Sequence, residues 1–143
     1  MRSRDDAGSV APMIIGFAVV AMLLVGVVVD SSAAFLARQN LNATADAAAL
    51  AATDGMQGEQ VYGAGLGTQA RIDPAAARRH VADYLRTSGV GDRYQNLRFE
   101  VEAQGDRIVV RVRGNVKLPI GVPGVLTTTT VTGSAASIIT ISD

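Results

Sequence analysis

The stretch that decides the fold runs from Val10 to Val29 and reads VAPMIIGFAVVAMLLVGVVV. No charged residue occurs between Ala7 and Val29. About twenty helical residues cover roughly 30 Å, the thickness of the hydrocarbon core of a bilayer. The run therefore predicts a membrane-spanning helix over residues 9–30, because a chain of 143 residues offers too little other apolar surface to wrap it. A cleaved secretory signal, whose apolar region is roughly 7–15 residues, fits less well.

The basic residues that flank this run predict its orientation. Arg2 and Arg4 precede it, whereas the next basic residue is Arg38. Because Lys and Arg are enriched in short cytoplasmic segments, we expect residues 1–8 in the cytoplasm and the remainder of the chain outside it. The predicted protein is a single-pass protein of the cell membrane.

Residues 31–54 lack Gly and Pro and are rich in Ala, so the helix is predicted to continue as a stalk over 31–55. Gly55 is the expected stop. Apolar residues, mainly alanines, recur at helical spacing along this stalk and form a narrow stripe, called here the alanine stripe. They are Ala34, Leu41, Ala45, Ala48 and Ala52. Side chains this small allow close approach, either of the chain's own domain or of other copies, and both possibilities stay open.

A glycine-rich linker is predicted over 56–72, followed by a domain over 73–143. Asp73 and Pro74 have the residue types of an N-cap and a first helical position. Residues 97–103 and 108–118 alternate apolar and polar side chains about Gly105-Asp106, which predicts an antiparallel hairpin. Residues 127–141 are β-branched and predict a third strand, with a bulge or bend at Gly133. The fold class is α+β, with one helix on a three-stranded antiparallel sheet.

The segment between the second and third predicted strands, Pro119–Leu126, is an apolar loop with two prolines and two glycines. Such a loop either packs onto the core as a connection or contacts a partner or the lipid surface. The sequence leaves these two interpretations open.

Composition narrows the possible functions. Lys+Arg and Asp+Glu both number 13, and no basic stripe points to nucleic acid. Cysteine is absent, which excludes disulfides and Cys-based zinc sites. No Cys, Asp or Glu stands at a sequence spacing from His80 that would build a metal site, and no nucleophile motif accompanies any Ser. We therefore expect no catalytic, metal or cofactor-binding residues and no enzymatic activity.

Four segments carry a resemblance to a known family. They are GSVAPM at 8–13, DSSAAFLAR at 30–38, LNATADAAALAA at 41–52 and VRVRGNVKLP at 110–119. The sequence resembles TadE/TadG-like proteins of bacterial tight-adherence (Flp) pilus systems, particularly the actinobacterial kind. The similarity covers residues 8–55 well and the later strands loosely.

The resemblance implies a minor pilin or pseudopilin-like component of a Tad pilus or related secretion apparatus. Its partners would be membrane lipid and other pilin-like subunits, contacted through the N-terminal helix. Pilin-type processing would cut between Gly8 and Ser9, but Met13 stands where pilins carry a Glu. That difference favours an anchored accessory protein over a filament subunit. The residues alone also allow a membrane-tethered extracytoplasmic binding or regulatory module.

Overall fold

The computed structural model describes residues 10–63, 72–122 and 126–138. A long helix, α1 (Val10–Gly63), is followed by a second helix, α2 (Pro74–Thr87), and a short 3-10 turn at Val90–Asp92. Three strands complete the fold: β1 (Gln95–Gln104), β2 (Arg107–Val122) and β3 (Leu126–Ile138). They form one antiparallel sheet in the order β1-β2-β3. The predicted α+β class is confirmed.

Helix α1 is 54 residues long, about 80 Å at 1.5 Å per residue. The prediction that it ends at Gly55 is wrong. Met56 is buried in the core, and a Cβ on Gly55 would come within 2.6 Å of Nδ1 of His80 on α2. Packing against α2 therefore offsets the cost of a glycine inside a helix, about 1 kcal/mol.

Helix α2 begins and ends where its capping residues predict. Asp73 is extended and its carboxylate accepts a hydrogen bond from the backbone N–H of Ala75 at 2.9 Å, with Pro74 next in the chain. The helix ends before Ser88, and Gly89 adopts the left-handed conformation with φ of 66°. Its buried face is formed by Ala76, Ala77, Val81 and Leu85.

The sheet has the predicted alternation. Ile108, Val110 and Val112 on the central strand β2 are completely buried. The apolar residues of β1 are only half-buried, because β1 lies at the edge of the sheet and α1 lies over β2 and β3.

Strand β2 continues beyond the predicted hairpin, so the expected loop over Pro119–Leu126 is partly wrong. Residues 119–122 extend β2, and Val122 pairs with Leu126 of β3. The β2–β3 register shifts between Lys117 and Val122, and β1 pairs with β2 no further than Asn115. Pro119 therefore lies in an irregularly paired part of β2, where its missing N–H removes no hydrogen bond from the regular pairing between strands. Of the third predicted strand, residues 139–141 lie outside the described residues.

One hydrophobic core joins the stalk part of α1 to α2 and the sheet. Helix α1 contributes mainly alanines to it, together with Leu41 and Met56, and the sheet contributes Ile108, Val110 and Val112. The part of α1 before Ala37 adds no residue to this core.

Candidate functional site along the long helix

The N-terminal part of α1 is an apolar arm, defined here as Val10–Val29, that the other described residues leave almost entirely uncovered. Its most apolar 18-residue window has a mean hydropathy of 2.8 and is 0 % buried. This is the one helix in the described part of the chain that is long and apolar enough to cross a membrane. Bare apolar surface of this extent fits lipid or another apolar helix and is costly in water.

Beyond the arm, α1 turns its small residues toward the sheet. Of the five stripe residues named from the sequence, Leu41, Ala45, Ala48 and Ala52 have no exposed surface. Ala34 is half-buried at the start of this docked segment. The structure therefore brings four of the five into the protein's own core. Gly8 and Ser9, the possible processing site, lie outside the described residues.

The helix backbone lies directly against the sheet at Gly133 on β3. A Cβ on this residue would overlap the backbone carbonyl of Leu41 and the backbone nitrogen of Asn42. The side-chain oxygen of Asn42 accepts a hydrogen bond from the backbone N–H of Ser134 at 3.2 Å. Gly133 pairs in register with Val112, so the predicted bulge or bend there is wrong. The glycine instead makes room for a helix backbone.

Two further polar contacts fix the helix along its length. The hydroxyl of Thr53, which is buried, donates to the carbonyl of Ala49 and also lies 2.8 Å from the hydroxyl of Ser137 on β3. Near the other end of the docked segment, the Tyr94 hydroxyl donates to the Ala37 carbonyl at 3.1 Å. Burial raises the pKa of Tyr94, an effect that the neighbouring Arg93 charge partly opposes.

The boundary between the arm and the docked segment carries a further link, the Asp30 clasp. The Asp30 carboxylate accepts two backbone hydrogen bonds from β2, one from the N–H of Ile120 and one from that of Gly121, both at 3.0 Å. Each carboxylate oxygen accepts one of them. Charge-assisted bonds of this kind are stronger than neutral ones. The end of the β2–β3 hairpin is thereby attached to the helix where its charge-free run stops.

The charged side chains of the sheet form a solvated face. Arg111 pairs with Glu102 at 2.7 Å, and Arg113 lies 3.9 Å from Glu100, all four exposed to a large extent. Such pairs contribute little stability. Across residues 10–63, 72–122 and 126–138, no three His, Asp or Glu side chains gather as a metal-binding group. His80 is half-buried and its ring packs on Gly55.

The fold is a long helix with a bare apolar arm, docked by its other half on a small antiparallel sheet, and the arm is long and apolar enough to cross a membrane. Residues 8–71 match the family model described as "Putative Flp pilus-assembly TadE/G-like". This match confirms the resemblance to TadE/TadG-like pilus-assembly proteins that was predicted from residues 8–55. No curated protein and no solved structure matches the chain.

Several of these contact residues were not singled out from the sequence: Asp30, Asn42, Thr53 and Tyr94. Asp30 had a usable signal, since it is the first charge after the apolar run. Asn42 and Thr53 gave no such signal, because a polar residue on an Ala-rich helix is expected to face solvent when the position of the sheet is unknown. Gly133 was predicted to mark a bulge or bend, whereas its role is to make room for α1, which is far away in the sequence.

Proposed function

We propose that this protein is a membrane-anchored, minor pilin or pseudopilin-like component of a Tad (Flp) pilus or a related secretion apparatus. The arm anchors it, with residues 1–8 in the cytoplasm and the folded domain on the extracytoplasmic side. The observation that carries the proposal is the uncovered arm, continuous with a helix docked on its own domain, in a segment that matches a pilus-assembly family. The family match favours a structural or assembly role over catalysis.

The packing of α1 on its own domain limits which of its surfaces can contact other subunits. The alanine stripe is covered by the protein's own sheet and α2, so it is not free for a partner. The arm is free, and so are apolar side chains on the outer side of the docked segment. These are Phe35, Leu36 and Leu50, each more than half exposed. Other pilin-like subunits would pack on these surfaces.

Protease protection tests the anchoring and the orientation together. Trypsin added to sealed spheroplasts should digest the domain, residues 73–143, and leave the arm with the membrane pellet. A control digestion after lysis should expose the cytoplasmic residues 1–8 as well. If the domain survived in spheroplasts and was cut only after lysis, the proposed orientation would be wrong.

Co-purification from native membranes tests the assembly role. Under mild detergent, the full chain should bring down the membrane platform or other pilin-like subunits of a pilus apparatus. Recovery of the chain with a small ligand and no such subunit would favour the alternative function, a membrane-tethered binding or regulatory module. The mass of the mature N-terminus would separate an anchored accessory from a processed subunit, since processing would leave Ser9 as the first residue.

A further inference from the structure

The β2–β3 hairpin ends in an apolar segment that lies beside the arm. We define the described part of this segment, Leu118–Val122, as the hairpin tip. The Asp30 clasp holds its backbone against α1. The Ile120 side chain reaches further toward the N-terminus of the helix, because the position of a Cβ on Gly26 is 3.8 Å from its Cγ2 atom. The tip therefore extends past Asp30 along the arm.

The depth of this contact follows from helix geometry. Gly26 precedes Asp30 by one helical turn, which is roughly 6 Å along the axis. The apolar arm ends at Val29, so Ile120 lies alongside residues of the arm rather than beyond them. If the arm spans a bilayer, Ile120 lies within the boundary between headgroups and acyl chains, where interfacial apolar groups are buried by roughly 5–10 Å.

The chemistry of the tip matches this environment. No charged residue occurs between Lys117 and Asp143. Pro119 is exposed and Ile120 is 55 % exposed. The two backbone N–H groups at Ile120 and Gly121, which lipid could not satisfy, are paired with Asp30. Lys117, exposed directly before the tip, suits contact with lipid phosphates.

We propose that the hairpin tip inserts into the surface of the bilayer beside the arm, as a second membrane contact of the domain. The apolar surface of the tip continues that of the arm, so the same lipid covers both. Two contacts, the helix and the tip, would hold the domain at one rotation about the helix axis and one height above the membrane. This inference rests on the proposed anchoring of α1 by the membrane.

Quenching of tryptophan fluorescence by brominated lipid tests the proposal, because the chain contains no Trp. Three single-Trp variants of the full chain are reconstituted in phosphatidylcholine vesicles with bromine near the top of the acyl chain or near its end. The tip is reported by Ile120→Trp. Ile138→Trp is the matched control, since Ile138 is 52 % exposed on the same hairpin but at its opposite end, paired with Arg107. Val20→Trp reports on the middle of the arm.

The proposal expects a blue-shifted emission from the Ile120→Trp variant and quenching that is several-fold stronger with shallow bromine than that of the Ile138→Trp variant. The Val20→Trp variant should be quenched more by the deep bromine. Equal, weak quenching at Ile120 and Ile138, with Val20 still quenched, would overturn the tip proposal and leave the anchor intact. A blue shift at Ile120 without bromine quenching would mean a protein partner, such as a second copy, and would also overturn it. No quenching at Val20 would refute the anchor itself and the tip proposal with it.

Discussion

At the scale of single residues, Gly133 determines how closely α1 can lie on the sheet. A methyl group there would overlap the helix backbone at Leu41 and Asn42, and a backbone cannot rotate away as a flexible side chain can. We expect Gly133→Ala to destabilise the domain by about 1–3 kcal/mol, as overpacking of a core does.

Thermal unfolding of the full chain in detergent, followed by circular dichroism, measures this effect. Gly91→Ala is the control, because a Cβ on Gly91 would meet no atom within 4 Å. An unfolding midpoint for Gly133→Ala equal to that of the control would contradict the close helix–sheet contact.

The Tyr94 hydroxyl links the connection between the 3-10 turn and β1 to α1, and it makes stability depend on pH. The pKa of Tyr94 is raised by burial above its ordinary value of 10.0. The folded state thus holds the phenol proton more tightly, and the associated stabilisation is complete below about pH 10 and is lost as pH rises through the folded-state pKa. Tyr94→Phe, which removes the hydrogen bond to Ala37, should cost about 1 kcal/mol at neutral pH.

Urea unfolding at neutral and strongly alkaline pH checks the Tyr94 prediction. The difference in stability between wild type and Tyr94→Phe should shrink as pH rises, since only the wild type loses stability through this group. Tyr84→Phe keeps Tyr94 and should retain the wild-type alkaline loss. A difference that stays constant with pH would refute the assignment.

At the scale of elements, the Asp30 clasp joins β2 to α1. Hydrogen bonds to a charged group contribute about 1.5–3 kcal/mol each, so Asp30→Ala should release the hairpin tip without unfolding the sheet. The release would leave two backbone N–H groups unpaired beside the arm, which favours movement of the tip toward water.

Hydrogen exchange measured by mass spectrometry follows the released tip directly. In Asp30→Ala, peptides over residues 118–122 should exchange roughly tenfold faster or more, while those over 108–112 keep their rate. Ser32→Ala is the control, because the Ser32 hydroxyl donates a hydrogen bond within its own helix, to the Val28 carbonyl. Unchanged exchange at the tip would show that the clasp does not hold it.

At the scale of the whole molecule, the bare apolar arm and the segment that joins the core are different parts of α1. The arm adds no residue to the core, so charges placed in it should abolish membrane integration while the domain stays folded. An Arg in the centre of a span costs about 2.5–3.5 kcal/mol, so Val20→Arg combined with Leu24→Arg should strongly reduce the fraction that resists carbonate extraction.

The control for this prediction combines Ala43→Arg with Leu50→Arg, two exposed positions beyond the arm. That pair should remain in the membrane fraction. Full carbonate resistance of the Val20 and Leu24 pair would contradict a spanning role for the arm.

The predictable features of this protein are those that neighbouring residues specify. The apolar arm, the capped helix α2 and the alternating strands follow from hydropathy, capping residues and period-two patterning. The helix end at Gly55 and the loop after Leu118 were mispredicted for a related reason. Taken alone, Gly and Pro each favour the end of a helix or strand. At Gly55 the packing against His80 outweighs that tendency, and at Pro119 the irregular strand pairing tolerates the missing N–H.

Contiguous residues are enough to specify the long apolar helix, the α+β order of elements and the resemblance to pilus-assembly proteins. Three-dimensional packing was needed to show what the alanine stripe packs on, why residue 133 is a glycine and what Asp30 binds. Those answers depend on residues about ninety positions apart, such as Asp30 with Gly121 and Asn42 with Ser134. No local pattern encodes such pairs, since they form only when the helix and the hairpin share one core.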